Sequence, residues 1–529
     1  MLENSRKDIE KGVLQKNKLM TIGNIIAFFT VLLLTIFPLY YHNYYFDILV
    51  VKYKLFYMTV ILMAIILLLI FIINRNGDMR KQIKAIYYSK FNLADKGMIS
   101  FCIIAIISTL QSSYKFESLW GNEGRYSGLF LLLIYGLAFF IISKGIHYSK
   151  WLIELFLFSS MLVCVFGITD YFMLDILGFK KNIDANQYNM FASTIGNINT
   201  YTAYVGMVMG VSTVLFVSAK TLPKIIWYFA CMIISFFAII MGLSDNAYLA
   251  IGALFAFLPL WLFKNRIGVK RYIFVLTTFI YVIYTIDFVN KIIPSHVLQM
   301  GGILEKLSGY SRLEYIVIVA TIICCIVYLF DFISKGKCEY GIKLQIAWAI
   351  LLVVLFMGGL YVLYDANIVG SEERYGALGN YLVFNDEWGT HRGYIWRMGL
   401  ECYEKQPLIH KLFGYGPDTF GIMAMSSGRY SEMTTKYNEY FDSAHNEYLQ
   451  YFITMGPFGL ISYILFLVGS GIRMIKSAIK DSYVMAVFFA MICYAVQAVV
   501  NISLPITTPV FIVLIAVGLA GCRNVVSEG

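Results

Sequence analysis

His445 is the residue whose type and position offer the most chemistry. It sits in the run Ser443-Ala444-His445-Asn446-Glu447-Tyr448, directly before a long apolar stretch. A neutral imidazole, with an ordinary pKa of about 6.5, takes a proton from a hydroxyl. The plainer reading is an interfacial histidine that caps a helix. The other histidines offer less. His42, His147 and His296 fall in short gaps or at the ends of apolar runs, and His391 and His410 flank a surface helix. Three arginines are the next candidates: Arg125, in Trp120-Gly121-Asn122-Glu123-Gly124-Arg125-Tyr126, and Arg392 and Arg397, in one long polar gap. A guanidinium fork matches phosphate oxygens two at a time, so a lipid phosphate or diphosphate is the natural partner. An ordinary headgroup contact or ion pair competes for each. Asn199, in Gly196-Asn197-Ile198-Asn199-Thr200, and Asp245, in Leu243-Ser244-Asp245-Asn246, interrupt apolar runs. A carboxylate at the edge of hydrocarbon marks a site by default. Helix capping by Asn199 and Asn246 is the alternative.

Several chemistries are missing. The chain has no GxxxxGK[ST] phosphate loop, no HExxH zinc helix and no Asp-x-Asp pair. The last absence argues against a metal-dependent transferase using a nucleotide-sugar donor. Glu387 and His391 stand four apart, which on a surface helix reads as a solvated pair before a metal site. The 9 cysteines show no CxxC spacing and give neither a disulfide framework nor a zinc site. No metal and no cofactor are expected.

These residues must be positioned by membrane helices. Of the 529 residues 59% are hydrophobic and 14% charged, too few charges for a soluble surface of this size. The net charge of +10 forms no patch or tract, so nucleic acid is not the partner; membrane lipids are. With about 20 apolar residues per crossing, the sequence predicts fourteen spans: 20–41, 55–74, 97–112, 127–143, 151–172, 200–219, 225–242, 247–263, 272–289, 313–333, 344–364, 448–471, 482–500 and 503–521. The third and fourth are short. An N-terminus in the cytoplasm puts 26 of the 42 Lys and Arg inside, among them Arg75, Arg80, Lys81 and Lys84, then Lys264, Arg266, Lys270 and Arg271, then Arg473, Lys476 and Lys480. The expectation is an all-α, polytopic bundle in the cytoplasmic membrane with both termini cytoplasmic.

One gap is too long for a connector. Residues 365–446 are expected outside, as an ordered helical cap between spans 1–11 (1–364) and spans 12–14 (447–529). Arg392, Ile395, Trp396, Gly399, Leu400 and Tyr403 recur at three and four, an amphipathic helix with Thr390 as its N-cap and Pro407 as its stop. Arg392 then faces inward, and Arg397, one position round, faces water.

Taken together these stretches resemble the O-antigen ligase and O-antigen polymerase superfamily. Gly196-Asn197-Ile198-Asn199 is similar to the family's Gly-Asn-Pro-Asn, with Ile198 in place of Pro, and Ser244-Asp245-Asn246-Ala247-Tyr248-Leu249 to its Ser-Arg-Gly-Ala-Trp-Leu. Arg392, Trp396, Pro407, Gly414 and Gly416 resemble the Arg-xxx-Trp … Pro-Leu-x-Gly-x-Gly run, and 443–449 the Ala-His-Asn-x-Tyr-Leu end of the large loop. The resemblance implies a metal-independent membrane transferase. Its donor is an undecaprenyl-diphosphate-linked oligosaccharide, and its acceptor a glycan, lipid or protein. It further implies His445 as base, with Asn446 beside it, and Arg392 as the diphosphate grip. Asp245 departs from the pattern, where many members carry arginine, and Arg125 is the candidate replacement. Polymerase and ligase both stay open. A lipid-linked oligosaccharide flippase without chemistry is the rival, but it predicts internal repeats that the sequence lacks.

Overall fold

The computed structural model describes residues 22–73, 91–181, 183–302, 305–306, 309–335, 341–370, 372–478 and 481–527. The basic stretch 1–18, the cluster Arg75, Arg80, Lys81 and Lys84, and Lys480 lie outside the described residues. Each predicted span corresponds to a helix. They are α1 (Ile22–Leu39), α2 (Ile48–Ile73), α3 (Leu93–Gln111), α4 (Leu129–Gly145), α5 (Trp151–Tyr171), α6 (Ile198–Ser218), α7 (Leu222–Met241), α8 (Ala247–Leu262), α9 (Arg266–Ile292), α10 (Leu313–Ile333) and α11 (Gly341–Tyr364). After the long gap come α16 (Glu447–Ala478), α17 (Ser482–Gln497) and α18 (Thr508–Ser527). Among the described residues, 11 helices are long and apolar enough to cross a membrane; α4, α8 and α18 are shorter apolar helices. The short spans are therefore not quite those expected. α3 gains a first turn that looks polar in sequence, because Asn92 and Asp95 form a reciprocal capping box and Asp95 is buried against Lys144.

Side chains of α6 fill the centre of the bundle, enclosed by α7, α8 and α17. Close helix pairs use small residues, as membrane helices do where apolar burial alone cannot drive association. A Cβ on Gly97 of α3 would fall 2.3 Å from the backbone nitrogen of Phe466 in α16, and one on Gly469 would fall 2.5 Å from that of Ala94. α10 and α11 are different. They pack against α9 and α8 respectively and leave most of their apolar surface exposed, as lipid-facing helices do.

The loops gather at two ends. At one end lie the segment before α4, a hairpin of β1 (Phe191–Ala192) and β2 (Gly196–Asn197) leading into α6, the turn before α8, the turn before α18, and the long gap. Cross-links join them: Asn501 Nδ2 to Asn199 O at 3.1 Å, Asn246 Nδ2 to Val500 O at 3.1 Å, and Ser127 Oγ to Ser503 O at 3.2 Å. The opposite end holds the C-terminus of α4, bound to α3 and α18.

The long gap folds into a cap of α12 (Trp388–Glu404), α13 (Leu408–Phe413), α14 (Phe420–Ser426) and α15 (Tyr430–Tyr437), more helices than the two or three expected. Its core is Tyr394, Ile395, Met398, Cys402, Phe420 and Met433, with Ile453 reaching in from α16. The buried stripe of α12 is thus rotated from the predicted one: Tyr394, Met398 and Cys402 turn inward and Leu400 is exposed. Thr390 is not its N-cap. Gly389, Thr390 and His391 form a left-handed turn, with φ of 61°, 60° and 67°, a costly conformation for a β-branched residue. The regular helix begins at Arg392. Pro407 does follow its end and starts α13.

The cap is seated by glycines. Gly416 N donates to Thr454 O at 2.9 Å, and Gln111 Nε2 donates to Gly414 O at 2.9 Å. A Cβ on Gly416 would lie 1.8 Å from Ser118 Oγ, and one on Gly414 would lie 1.9 Å from Thr454 O. Both have positive φ, so only glycine fits the backbone and the space. Gly456, at φ +70°, and Pro457 break α16 where the C-terminus of α13 presses against it.

Candidate active site

His445 is the first side chain to build from. The residue before it is held on both backbone groups: Gln450 Oε1 accepts from Ala444 N at 2.8 Å, and Trp396 Nε1 donates to Ala444 O at 2.9 Å. α12 and α16 therefore hold one residue by both of its backbone groups. His445 itself takes φ +46°, a left-handed backbone just before α16. Asn446 then caps α16, with Oδ1 accepting from Tyr448 N at 3.1 Å and Leu449 N at 3.0 Å. Asn446 is thus the capping residue and His445 is free of that duty. No hydrogen bond to the imidazole occurs among the described residues.

Arg392 and Arg125 both act electrostatically on His445, from α12 and from the segment before α4. Burial, then Arg125, then Arg392, push the imidazole down to about 4, and Asp442 pulls the other way. At neutral pH the ring is neutral, the form a base requires. Arg392 donates from NH1 to Gly389 O at 2.8 Å, across the left-handed turn, and from NH2 to Asn246 Oδ1 at 3.4 Å. Its Nε is buried and unpartnered among the described residues. Burial lowers its pKa and Asp245 opposes this, so Asp245 belongs to the neighbourhood of Arg392. Arg125 is spent differently. It makes a two-pronged pair with Asp442, Nε to Oδ2 at 2.9 Å and NH2 to Oδ1 at 2.8 Å. That pair ties the α4 entry to the His445 segment. Arg125 therefore contributes charge to the site while a carboxylate already occupies its fork.

The two asparagines do not cap their helices. Asn197, not Asn199, caps α6. Asn199 Oδ1 instead accepts from Ser244 Oγ at 2.6 Å. Asn246 Nδ2 donates to Val500 O, and its Oδ1 accepts from Arg392 NH2. The loops before α6 and α8 are thereby joined to one another and to the cap. Arg397 is the residue that the structure turns away. It is bound to Asp386 at 3.0 and 2.9 Å and to Glu401 at 2.7 Å, on the exposed face of α12. Those hydrogen bonds raise its pKa, and each of its three guanidinium nitrogens is already engaged by a carboxylate.

Asp442 and Asp418 were not legible as site residues. Asp418 is buried, accepts from Asn122 N at 2.8 Å and Ser127 N at 3.0 Å, and is pushed up to about 7 by burial. It fastens the Arg125 loop to the cap. The partners lie about three hundred residues apart in the chain, so no local spacing announces them. Its place three residues before His445 was the one available signal for Asp442.

This arrangement has a polar, cationic centre, a neutral imidazole, and a roof of short helices at the end of a membrane bundle. The O-antigen ligase family model matches residues 307–464. The match takes in α10, α11, the whole cap and the first half of α16, and with them Arg392, Trp396 and His445. It supports membership of the O-antigen ligase and polymerase family, and glycan transfer of that type between a lipid-linked donor and an acceptor. Arg125 and the loops carrying Asn199 and Asp245 fall outside the matched segment. No curated protein matches the chain.

Proposed function

We propose that this chain transfers a glycan from an undecaprenyl-diphosphate carrier to an acceptor hydroxyl at the outer face of the cytoplasmic membrane. The observation that carries the reading is the placement of the His445 imidazole, free of capping duty, near Arg125 and Arg392. In the step, the acceptor oxygen bonds to the anomeric carbon as the bond from that carbon to the diphosphate oxygen breaks. The electron pair leaves with undecaprenyl diphosphate, and the acceptor proton goes to His445. Attack opposite the leaving group inverts the anomeric centre. Arg392, with one buried donor still free, stabilises the charge that develops on the diphosphate. Arg125 adds positive potential behind its pair with Asp442. The donor arrives already activated, so nucleotide and metal have no required role.

The test uses purified protein with a defined polyprenyl-diphosphate oligosaccharide and a panel of glycan, lipid and protein acceptors, read by mass. Product is expected, and the acceptor that works distinguishes polymerase from ligase. Turnover should survive excess EDTA; loss that magnesium or manganese restores would refute the metal-free step. Intact donor in every reaction, with movement of labelled donor across vesicles, would favour the flippase.

The sidedness follows from the same reading, with the cap outside and both termini cytoplasmic. A cysteine at the exposed Ser427 should react with an impermeant thiol reagent in intact cells, above the parent background. One at the exposed Lys220, between α6 and α7, should react only after lysis. The reverse pattern would invert the orientation.

A further inference from the structure

The far end of the bundle holds a second polar cavity, which the transfer reading does not use. It lies about 24 Å from the site along α3, counting 1.5 Å per residue from Asp95 to Gln111. Its volume is about 260 Å³, and Asn92, Asp95, Ser143, Lys144, Arg473 and Arg523 line it. Four helices meet there: the start of α3 and the last turns of α4, α16 and α18. Three cations face one carboxylate. Oδ2 of Asp95 is already spent, on Lys144 Nζ at 2.5 Å and on the α3 capping box. Arg523 donates to Lys144 O and, at 3.4 Å, to Ile146 O, so part of its role is to close the C-terminus of α4.

That structural duty leaves much unanswered. Among the described residues, Arg473 Nε, Arg523 Nε and Ser143 Oγ are buried donors without an acceptor, and Asp95 Oδ1 is a buried acceptor without a donor. Ser143 is itself only 3% exposed. Buried polar groups in such numbers ask for a partner. Uncompensated positive charge next to orphan N–H groups calls for oxyanion oxygens, and Asp95 Oδ1 calls for a hydroxyl. A phosphodiester that carries hydroxyls supplies both.

We propose that this cavity binds the phosphate of an anionic lipid headgroup, of the phosphatidylglycerol kind, at the membrane face opposite the transfer site. Basic pockets between membrane helices take such headgroups in general, and this one opens where four spans end. The inference stands independently of the transferase reading.

The test is native mass spectrometry of the full-length protein, delipidated in detergent and offered equal phosphatidylglycerol and phosphatidylcholine. Inorganic phosphate is run as a separate competitor. Phosphatidylglycerol should be retained preferentially, and Arg473→Gln should weaken that preference about fivefold, the loss of one guanidinium near a headgroup. Arg473→Lys should keep more of it than Arg473→Gln. Arg473 is the position to vary because Arg523 also holds α4, and folded yield is measured beside binding. Competition by millimolar inorganic phosphate would keep the oxyanion site and assign it a soluble ligand. Equal retention of both lipids without phosphate competition, or an undiminished preference in folded Arg473→Gln, would overturn the site.

Discussion

His445→Ala is expected to lower glycan transfer by about 10²–10⁴-fold, the usual worth of a positioned base, with the fold intact. The structure gives reasons for both halves. Asn446, not His445, caps α16, and Ala444 carries the hydrogen bonds that seat the segment. Removing the imidazole therefore takes away no structural bond, and donor affinity should hardly change. A His445 that merely stabilised a helix end would instead cost about 0.5–2 kcal/mol of stability, with normal specific activity in the folded fraction. The pH profile adds a second readout. The free-enzyme imidazole lies near 4 because burial and two guanidinium groups disfavour its charged form. Activity is lost as pH falls through that value, since protonation removes the base, so the acid limb of kcat/KM should sit well below pH 6. A bound diphosphate brings negative charge beside Arg125 and Arg392 and offsets their field, so the limb of kcat should lie at higher pH. Limbs that coincide, or a well-folded His445→Ala with wild-type turnover, would remove His445 from the chemistry.

Arg392→Ala is the second large effect. It should weaken donor binding and slow the step, because a diphosphate carries charge before and during bond breaking. A loss of about 10²–10³-fold in turnover is expected for one preorganised donor. Arg392→Lys should rescue poorly. An ammonium keeps the charge but loses the planar fork, whose spaced nitrogens meet Gly389 O and Asn246 Oδ1 while Nε is still presented. Donor affinity and turnover measured on the same preparations separate the two positions: His445→Ala loses turnover alone, Arg392→Ala loses both. An Arg392→Ala that binds donor normally would assign the grip elsewhere.

The spans were legible because hydrocarbon imposes a length, and a run of apolar residues announces it whatever its neighbours are. Where a boundary moved, a charge had found a partner across the bundle. Asp95 and Lys96 look like loop in sequence, yet both lie in the first turn of α3, where Asn92 and Lys144 meet Asp95. The motif residues of the cap were legible as a set, but their tasks were not. Arg392 and Arg397 differ by five positions and look alike on paper; one turns to Asn246 and the other to Asp386 and Glu401. Thr390 satisfies every local rule for a cap and fails because the chain makes a left-handed turn to bring Gly389 O onto Arg392. Asn199 and Asn246 carry the composition of caps and serve as cross-links. The roles of Asp418 and Asp442 were hidden because their partners, Asn122, Ser127 and Arg125, lie about three hundred residues away in the chain. Periodicity encodes which face is buried; it is silent on which polar atoms meet.

The glycine seam under the cap bears on how large molecules reach His445. Gly414 and Gly416 bring the roof's backbone to hydrogen-bonding distance of α3 and α16 and leave no room for a methyl group between them. A roof riveted in that way cannot swing open as a flap without breaking buried backbone bonds. On the transfer reading, polymers must then pass beside a roof that stays in place, not under one that lifts.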